Sequence, residues 1–365
     1  MSNYYNPVKV IKTDNWLLEL NTRMKELNIS SPIIVASPGN RKRLNLESKF
    51  NPDSIFGEVG TNPTFETCEN AVEFCRGKKF DGVVAIGGGS VMDTAKVIKA
   101  HLSTKKTGIF KLIGYTDDYP QSIPSIFLPT THGTASEVTM WGTIWDMDEK
   151  KKHSISHVSL YPDIAILDGA LTLSLPLDIS IITTLDALSH SFESIWNKNA
   201  NSTSTEYAIT AICSILDNVP MLKANPDDLN IHNNLLHAST TAGLAFSNTK
   251  TAAAHSISYP LTIHYGIPHG VASSLSLIPL LDINREWIKE PLDRICNKME
   301  LTYEKLKEAI MSIPEGIIPY SLNDWGIPED HLPKLADESF TKGRMENNIV
   351  ALTNDDVFMI LKDIY

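Results

Sequence analysis

Short apolar runs alternate with longer amphipathic stretches through the first half of the chain. Four apolar runs, at residues 32–36, 81–86, 125–128 and 164–167, predict buried strands because each is short and is bounded by turn residues. Helical spacing of apolar positions predicts helices over residues 65–77 and 91–101. Strands that alternate with helices predict an α/β fold with a parallel sheet.

The pattern changes after residue 173. Apolar positions then recur at helical spacing over residues 180–196, 206–222, 232–246, 251–259 and 271–281, and shorter helical stretches follow to the end. We therefore predict two domains, an α/β domain over residues 1–173 and an all-α domain over residues 174–365. Ligand sites favour such domain junctions.

Charge and composition exclude several classes of protein. The chain has 365 residues, with Lys+Arg 32 against Asp+Glu 43 and a formal net charge of −11. An acidic chain without a basic cluster argues against binding to nucleic acid or an anionic membrane. We find no apolar stretch near the ~20 residues of a membrane span, no signal-peptide core and no paired cysteines. We expect a cytoplasmic protein that acts on a small molecule.

Two polar turns follow predicted strands. Gly87-Gly88-Gly89-Ser90 connects a strand to a helix, where glycine backbone and unpaired N–H groups suit a phosphate. It departs from the dinucleotide fingerprint GxGxxG because Asp93 occupies the third glycine position. The hydroxyl-rich segment 129–139 follows another strand. These turns predict one nucleotide-binding crevice, and the alternative is two tight structural turns.

Four separated residues form a candidate metal site. Asp186 and His190 are four residues apart and share one helix face, although such a pair is more often only hydrogen-bonded. His255 lies in an apolar helix, and His269 follows Pro268 at a predicted helix start. One carboxylate and three imidazoles suit Fe(II) or, alternatively, Zn(II).

Taken together, these motifs resemble a known family. Residues 87–96, GGGSVMDTAK, are similar to the GGGSxxDxAK signature of iron-containing (group III) alcohol dehydrogenases. Residues 129–139 resemble that family's PTTxGTxSEVT, and residues 162–176 resemble its PxxAIxDPxLTxSLP linker. Asp186, His190, His255 and His269 match the family's four metal positions.

The resemblance implies the dehydroquinate-synthase-like fold, with an N-terminal nucleotide-binding domain and a C-terminal metal-binding domain. It also implies NAD(P)-dependent interconversion of alcohol and aldehyde in a cleft between the domains, and a homodimer or higher homo-oligomer. Carried over residue by residue, the cofactor-binding positions are Asn62, Gly88, Gly89, Ser90, Thr130, Thr131, Ser136, Lys152 and Leu171.

Two departures from the family pattern bear on chemistry. Many members have a histidine four residues after the third metal ligand, but this chain has Tyr259 there, so Tyr259 or His264 is the candidate catalytic partner. Many NAD-using members have an aspartate at the end of the first strand, where this chain has Ser37 followed by Arg41, Lys42 and Arg43. We therefore expect Ser37 to contact the cofactor, and NADP(H) to be preferred over NAD(H). The alternative is a solvated basic turn.

A further stretch of the sequence bears on the substrate. Residues 255–270 resemble the phosphonoacetaldehyde reductase branch, which makes 2-hydroxyethylphosphonate. A phosphonate requires a nearby cation, and the candidates are Lys198, Lys250, Lys342 and Arg344. The alternatives are reduction of an uncharged aldehyde such as lactaldehyde or butyraldehyde, a dehydroquinate-synthase-like lyase, and a non-enzymatic nucleotide sensor, which the four intact ligand positions disfavour.

Overall fold

The first part of the chain forms a six-stranded parallel sheet. The structure is a computed structural model that describes residues 4–365. The strand order is β1-β8-β5-β4-β2-β3, with every pairing parallel. The strands are β1 Lys9–Lys12, β2 Pro32–Ala36, β3 Ile55–Phe56, β4 Gly82–Gly87, β5 Ser125–Pro129, β6 Trp141–Asp146, β7 Lys151–Ser156 and β8 Ile164–Leu167.

Fifteen α-helices accompany these strands in the described part of the chain. They are α1 Trp16–Glu26, α2 Pro38–Arg43, α3 Phe65–Phe74, α4 Gly89–Thr104, α5 Ile109–Ile113, α6 Leu177–Ile195, α7 Ser202–Ala224, α8 Leu229–Thr249, α9 Ala253–Tyr265, α10 His269–Leu275, α11 Leu277–Asn284, α12 Lys289–Met299, α13 Tyr303–Met311, α14 Leu332–Glu338 and α15 Asn354–Asp363. Among the described residues, no helix combines the length and the apolarity that a membrane crossing requires.

The described residues fall into two compact units. An α/β unit contains residues 7–131 and 135–172, and a helical unit contains residues 4–6, 132–134 and 173–365. The predicted fold class, a parallel-sheet α/β domain followed by a helical domain, is confirmed. The four predicted strands are present as β2, β4, β5 and β8 because their residues are almost all buried.

In the sheet, the chain changes the side on which it adds strands between β2 and β4. From β2 it adds β3 on one side and then returns to add β4, β5 and β8 on the other. In open α/β sheets, ligands bind outside the carboxyl ends of the strands at such a change of side. Ser37 follows β2 and Gly88 follows β4, so both residues lie at this edge of the sheet.

Several elements differ from the sequence-based expectation. The short strands β1 and β3 and the antiparallel hairpin of β6 and β7 were not predicted, because they are short or rich in polar residues. The single helix predicted over residues 271–281 is wrong, since the structure ends α10 at Leu275 and begins α11 at Leu277. Pro279 explains the break because it has no N–H to donate to the carbonyl of Leu275.

Candidate active site

Helix α6 supplies two of the four predicted metal ligands. Asp186 and His190 lie on its buried face, one turn apart, with their side chains only 4% and 6% exposed. The His190 ring stacks against the Phe246 ring of α8, with ring centroids 3.9 Å apart and planes 6° apart. This contact fixes the orientation of the imidazole. Nε2 of His190 lies 4.0 Å from Oδ1 of Asp186.

Helices α9 and α10 bring the other two histidines to Asp186. Nε2 of His255 lies 3.4 Å, and Nε2 of His269 lies 3.9 Å, from Oδ1 of Asp186. Gly270 permits this approach, because a Cβ atom there would lie 2.0 Å from the carbonyl oxygen of Ile182 on α6. The start of α10 therefore packs directly on α6, which places His269 next to the Asp186 carboxylate.

These side chains form a cluster with the geometry of a cation site. One ligand atom each from Asp186, His255 and His269 lie within 4.8 Å of one another. The His190 ring stacks on the His255 ring, with centroids 4.5 Å apart. Nε2 of His255 is buried and makes no hydrogen bond with the described residues. A buried, basic nitrogen without a hydrogen bond is costly in an apolar interior, so the cluster fits a divalent metal ion.

The electrostatics of the cluster also favour a cation. Burial alone would raise the pKa of Asp186, but the neighbouring histidines outweigh burial and hold that pKa well below its usual range. Burial lowers the pKa of His255, yet the charges of Glu193 and Asp186 and the hydrogen bond to Glu193 raise it to about 9. Both shifts arise because positive charge is stabilised here, and a metal ion would supply that charge.

A fifth residue, Glu193, completes the cluster and was missed from the sequence. Its carboxylate is 0% exposed. It accepts a hydrogen bond from Nδ1 of His255 at 2.5 Å and another from the backbone N–H of His255 at 3.0 Å. These bonds place the His255 proton on Nδ1 and leave Nε2 to face Asp186. The signal available in the sequence was its position seven residues after Asp186, on the same helix face.

The two candidate catalytic residues lie in different surroundings. The Tyr259 ring is nearly parallel to the His269 ring, with centroids 6.5 Å apart, so the structure brings Tyr259 to the cluster. His264 instead pairs through Nε2 with Glu338 at 2.6 Å, in an exposed position at the end of α9. A catalytic role for His264 stays a prediction.

Tyr259 also contacts a cation. The Arg344 guanidinium carbon lies 4.9 Å from the Tyr259 ring centroid. Burial raises the pKa of Tyr259 to about 12, although the charge of Arg344 and its hydrogen bond to the phenol oppose that shift. The phenol therefore keeps its proton at neutral pH and is able to donate a hydrogen bond. Among the four candidate cations, Lys198 is held differently, since its Nζ donates to the Glu346 carbonyl.

The glycine turn of the α/β unit brings its backbone close to Thr131. Gly88 precedes α4, and a Cβ atom there would lie 3.0 Å from Thr131 Cγ2. No side chain caps the start of α4, so Gly89 and Ser90 open a helix N-terminus suited to a pyrophosphate. Asn62 has a φ of +55° and donates its N–H to Ser90 Oγ at 3.1 Å. The structure thus brings these predicted cofactor-binding residues together.

A second group of predicted cofactor-binding residues surrounds Asn40 on α2. Ser37 caps α2 by accepting a hydrogen bond from the Asn40 N–H at 3.2 Å. The Asn40 side chain donates to Thr130 Oγ1 at 3.1 Å. Arg43 donates to the Leu171 carbonyl at 2.9 Å and to Asn40 Oδ1 at 2.8 Å. These bonds join the segments that follow three strands of the sheet. Arg41 pairs separately with Glu47.

Ser136 lies in a buried polar network. Its hydroxyl donates to Asp93 at 2.8 Å and accepts from Lys96 Nζ at 2.7 Å. Burial raises the pKa of Asp93 and lowers that of Lys96 to about 8. The network ties the hydroxyl-rich turn to α4. Lys152 on β7 lies with its Nζ 5.4 Å from the Trp145 ring, and its charge also acts on Asp93.

Comparison with known proteins identifies the family of the chain. A model of the iron-containing alcohol dehydrogenase family matches residues 7–169, and a model of the C-terminal region of Fe-containing alcohol dehydrogenases matches residues 180–365. Long-chain-alcohol dehydrogenase 1 of Geobacillus thermodenitrificans is 32% identical over 304 residues, which cover 80% of this chain and 76% of that protein.

Two further relatives are sulfoacetaldehyde reductases. The protein from Bilophila wadsworthia is 26% identical over 381 residues, 98% of each chain. The crystal structure of the Bifidobacterium kashiwanohense protein in complex with NAD+ superposes with a TM-score of 0.89 at 26% identity, covering 100% of this chain and 98% of that one. The resemblance predicted from the motifs is confirmed: the chain belongs to the iron-containing alcohol dehydrogenase family of oxidoreductases.

Proposed function

We propose that the protein is a metal-dependent, NAD(P)H-linked reductase of a small anionic aldehyde such as phosphonoacetaldehyde, with 2-hydroxyethylphosphonate as the product. The observation that carries this proposal is the cluster of Asp186, His255 and His269, whose ligand atoms lie within 4.8 Å of one another around a buried nitrogen without a hydrogen bond. The reaction consumes one aldehyde, one NAD(P)H and one proton. The two sulfoacetaldehyde reductases among the relatives support an aldehyde with an anionic group.

The chemistry divides between the bound groups and the side chains. When bound by Asp186, His190, His255 and His269, a divalent metal acts as a Lewis acid on the aldehyde oxygen. Glu193 holds His255 in the tautomer that presents Nε2. Tyr259, whose ring lies beside that of His269, keeps its proton and can donate a hydrogen bond from Oη. Gly88 and the uncapped start of α4 bind the cofactor pyrophosphate.

We propose Fe(II) as the resident metal and NADPH as the preferred reductant. The donor set of one carboxylate and three imidazoles accepts Fe(II) or Zn(II), and the family as a whole is iron-containing. Ser37 stands where a carboxylate would repel a 2′-phosphate, and it caps a helix that carries three cations in its last turn. Equal or better kcat/KM with NADH would contradict the cofactor proposal.

A substrate panel tests the proposed reaction. The enzyme is purified without oxygen, its iron and zinc contents are measured, and oxidation of NADPH and NADH is followed with phosphonoacetaldehyde, sulfoacetaldehyde and butyraldehyde. We expect higher kcat/KM for the anionic aldehydes, and loss of turnover in Asp186→Asn. No gain for either anion over butyraldehyde would contradict the proposed substrate. Absence of NAD(P)H oxidation with every aldehyde would contradict the proposed reductase activity.

A second candidate is reduction of an uncharged aldehyde. The observation in its favour is the 32% identity to a long-chain-alcohol dehydrogenase, which is higher than the 26% identity to the sulfoacetaldehyde reductases. The same panel separates the two candidates, because an uncharged site would favour butyraldehyde.

A further inference from the structure

Arg344 is a half-buried cation that lies beside the cluster of candidate metal ligands. Its guanidinium carbon lies 4.9 Å from the Tyr259 ring centroid, and the Tyr259 ring faces the metal-ligand candidate His269. Stacking on an aromatic ring fixes the plane of a guanidinium and lowers the entropy lost when it binds a ligand.

In the part of the chain that the structure describes, Arg344 lacks the glutamate partner that four of the other arginines have. Each of Arg23, Arg41, Arg76 and Arg294 pairs with a glutamate. Within residues 4–365, no carboxylate lies at ion-pair distance from the Arg344 guanidinium. A guanidinium carries five N–H donors in a planar fork, so its contact with the phenol leaves donors for a further acceptor. Arg344 is therefore a cation suited to an anionic ligand.

The backbone around Arg344 is anchored to the metal-binding helices. The N–H of Thr341 donates to Ser256 Oγ at 3.0 Å, and Ser256 is the neighbour of His255 on α9. On the other side, the N–H of Ile349 donates to the Trp196 carbonyl at 2.8 Å, at the end of α6. The segment is thus fixed at both ends, which holds Arg344 in place beside Tyr259.

We propose that Arg344 is the specificity-determining residue that binds the anionic group of the aldehyde, a phosphonate or sulfonate, through a two-pronged hydrogen-bonded ion pair. This inference rests on the proposed function and selects one residue from the four candidate cations. Lys342 is exposed, and Lys198 is engaged with the Glu346 carbonyl, whereas Arg344 alone of the four has a described contact with Tyr259.

Arg344→Gln is the principal test, with Arg344→Lys as the conservative variant. We expect Arg344→Gln to raise KM for phosphonoacetaldehyde about 10- to 100-fold, because a charged hydrogen-bonded pair is lost. kcat/KM for butyraldehyde should fall much less than that for phosphonoacetaldehyde, because butyraldehyde has no anionic group to lose a partner. The KM of Arg344→Lys for phosphonoacetaldehyde should lie between those of the wild type and Arg344→Gln, because lysine keeps the charge but loses the planar pair of donors.

A matched control and a binding measurement exclude indirect effects. Lys334→Gln removes one positive charge from the exposed face of α14 and should leave both substrates unaffected. Metal content is measured for every variant. Binding of methylphosphonate, followed by competition and by calorimetry, should weaken in Arg344→Gln and not in Lys334→Gln.

Five results would overturn the role of Arg344. Equal losses with both aldehydes, or loss of metal, would show that it acts through Tyr259 and the cluster. An unchanged preference for the anion, or a larger loss in Lys342→Gln, would place the anion elsewhere. Unchanged methylphosphonate binding in Arg344→Gln would also refute it. A wild-type enzyme that reduces aldehydes without preferring anions would instead contradict the proposed substrate, and the binding measurement would still decide the role of Arg344.

Discussion

Replacing Glu193 with glutamine should weaken metal binding without changing any metal ligand. The Glu193 carboxylate accepts hydrogen bonds from both the backbone N–H and Nδ1 of His255 and is fully buried. A glutamine of nearly the same shape offers one oxygen acceptor, so its NH₂ group must face one of these two donors. It also removes the negative charge that raises the basicity of His255.

The magnitude follows from these two losses. Removal of a carboxylate that orients a metal-bound histidine costs about 10- to 100-fold in metal affinity. We therefore expect the dissociation constant for Zn(II) or Fe(II) to rise by this factor in Glu193→Gln, or about 1.4–2.7 kcal/mol. The measurement is a titration of metal-free protein against a chromophoric chelator, with circular dichroism to verify folding.

The control for this experiment is Ser191→Ala. Ser191 is equally buried on α6, but its hydroxyl donates only to the Ala187 carbonyl of its own helix. We expect this variant to bind metal like the wild type. If folded Glu193→Gln binds metal with the dissociation constant of the wild type or of Ser191→Ala, the argument that Glu193 positions His255 is refuted.

Three further predictions concern other parts of the molecule. Gly270→Ala should destabilise the protein by about 1–3 kcal/mol or prevent folding, because its methyl group would overlap the Ile182 carbonyl, and a denaturant titration that gives wild-type stability would contradict this contact. Ser37→Asp should lower the NADPH/NADH ratio of kcat/KM, which steady-state kinetics will measure; an unchanged ratio would separate this residue from the 2′-phosphate. Burial lowers the pKa of His132 to about 3, so the unfolded chain binds more protons between pH 3 and 6.5. His132 should therefore make stability fall with decreasing pH through that window, by up to about 1.4 kcal/mol per pH unit. His132→Gln should flatten this slope in urea titrations at several pH values, and an unchanged slope would assign the effect to other groups.

Much of the fold followed from simple periodicity, and the misses have identifiable causes. The strands β2, β4, β5 and β8 were predictable because apolar residues buried on both faces form continuous runs. The hairpin of β6 and β7 was not predictable in this way, since Lys151–Ser156 is mostly polar and partly exposed. Pro279 marked a helix break that the apolar pattern of residues 271–281 concealed.

The candidate site shows a similar limit. The sequence offered Asp186, His190, His255 and His269 as ligand types, and the structure brings them together through packing that no local pattern encodes. Glu193 lacked a signature because a carboxylate that supports a ligand has the same composition as any buried acid. Arg344 could be named only as one of four cations, because its position beside Tyr259 depends on the anchoring of residues 341–349 to distant helices.

The metal cluster joins α6, α9 and α10, which the chain reaches at widely separated points. A bound ion would therefore act as a removable cross-link, and its binding energy would add to the free energy of unfolding of the helical unit. The supply of that metal would then affect both the resistance of the chain to proteolysis and its activity, and we expect metal-starved cells to contain less of the protein.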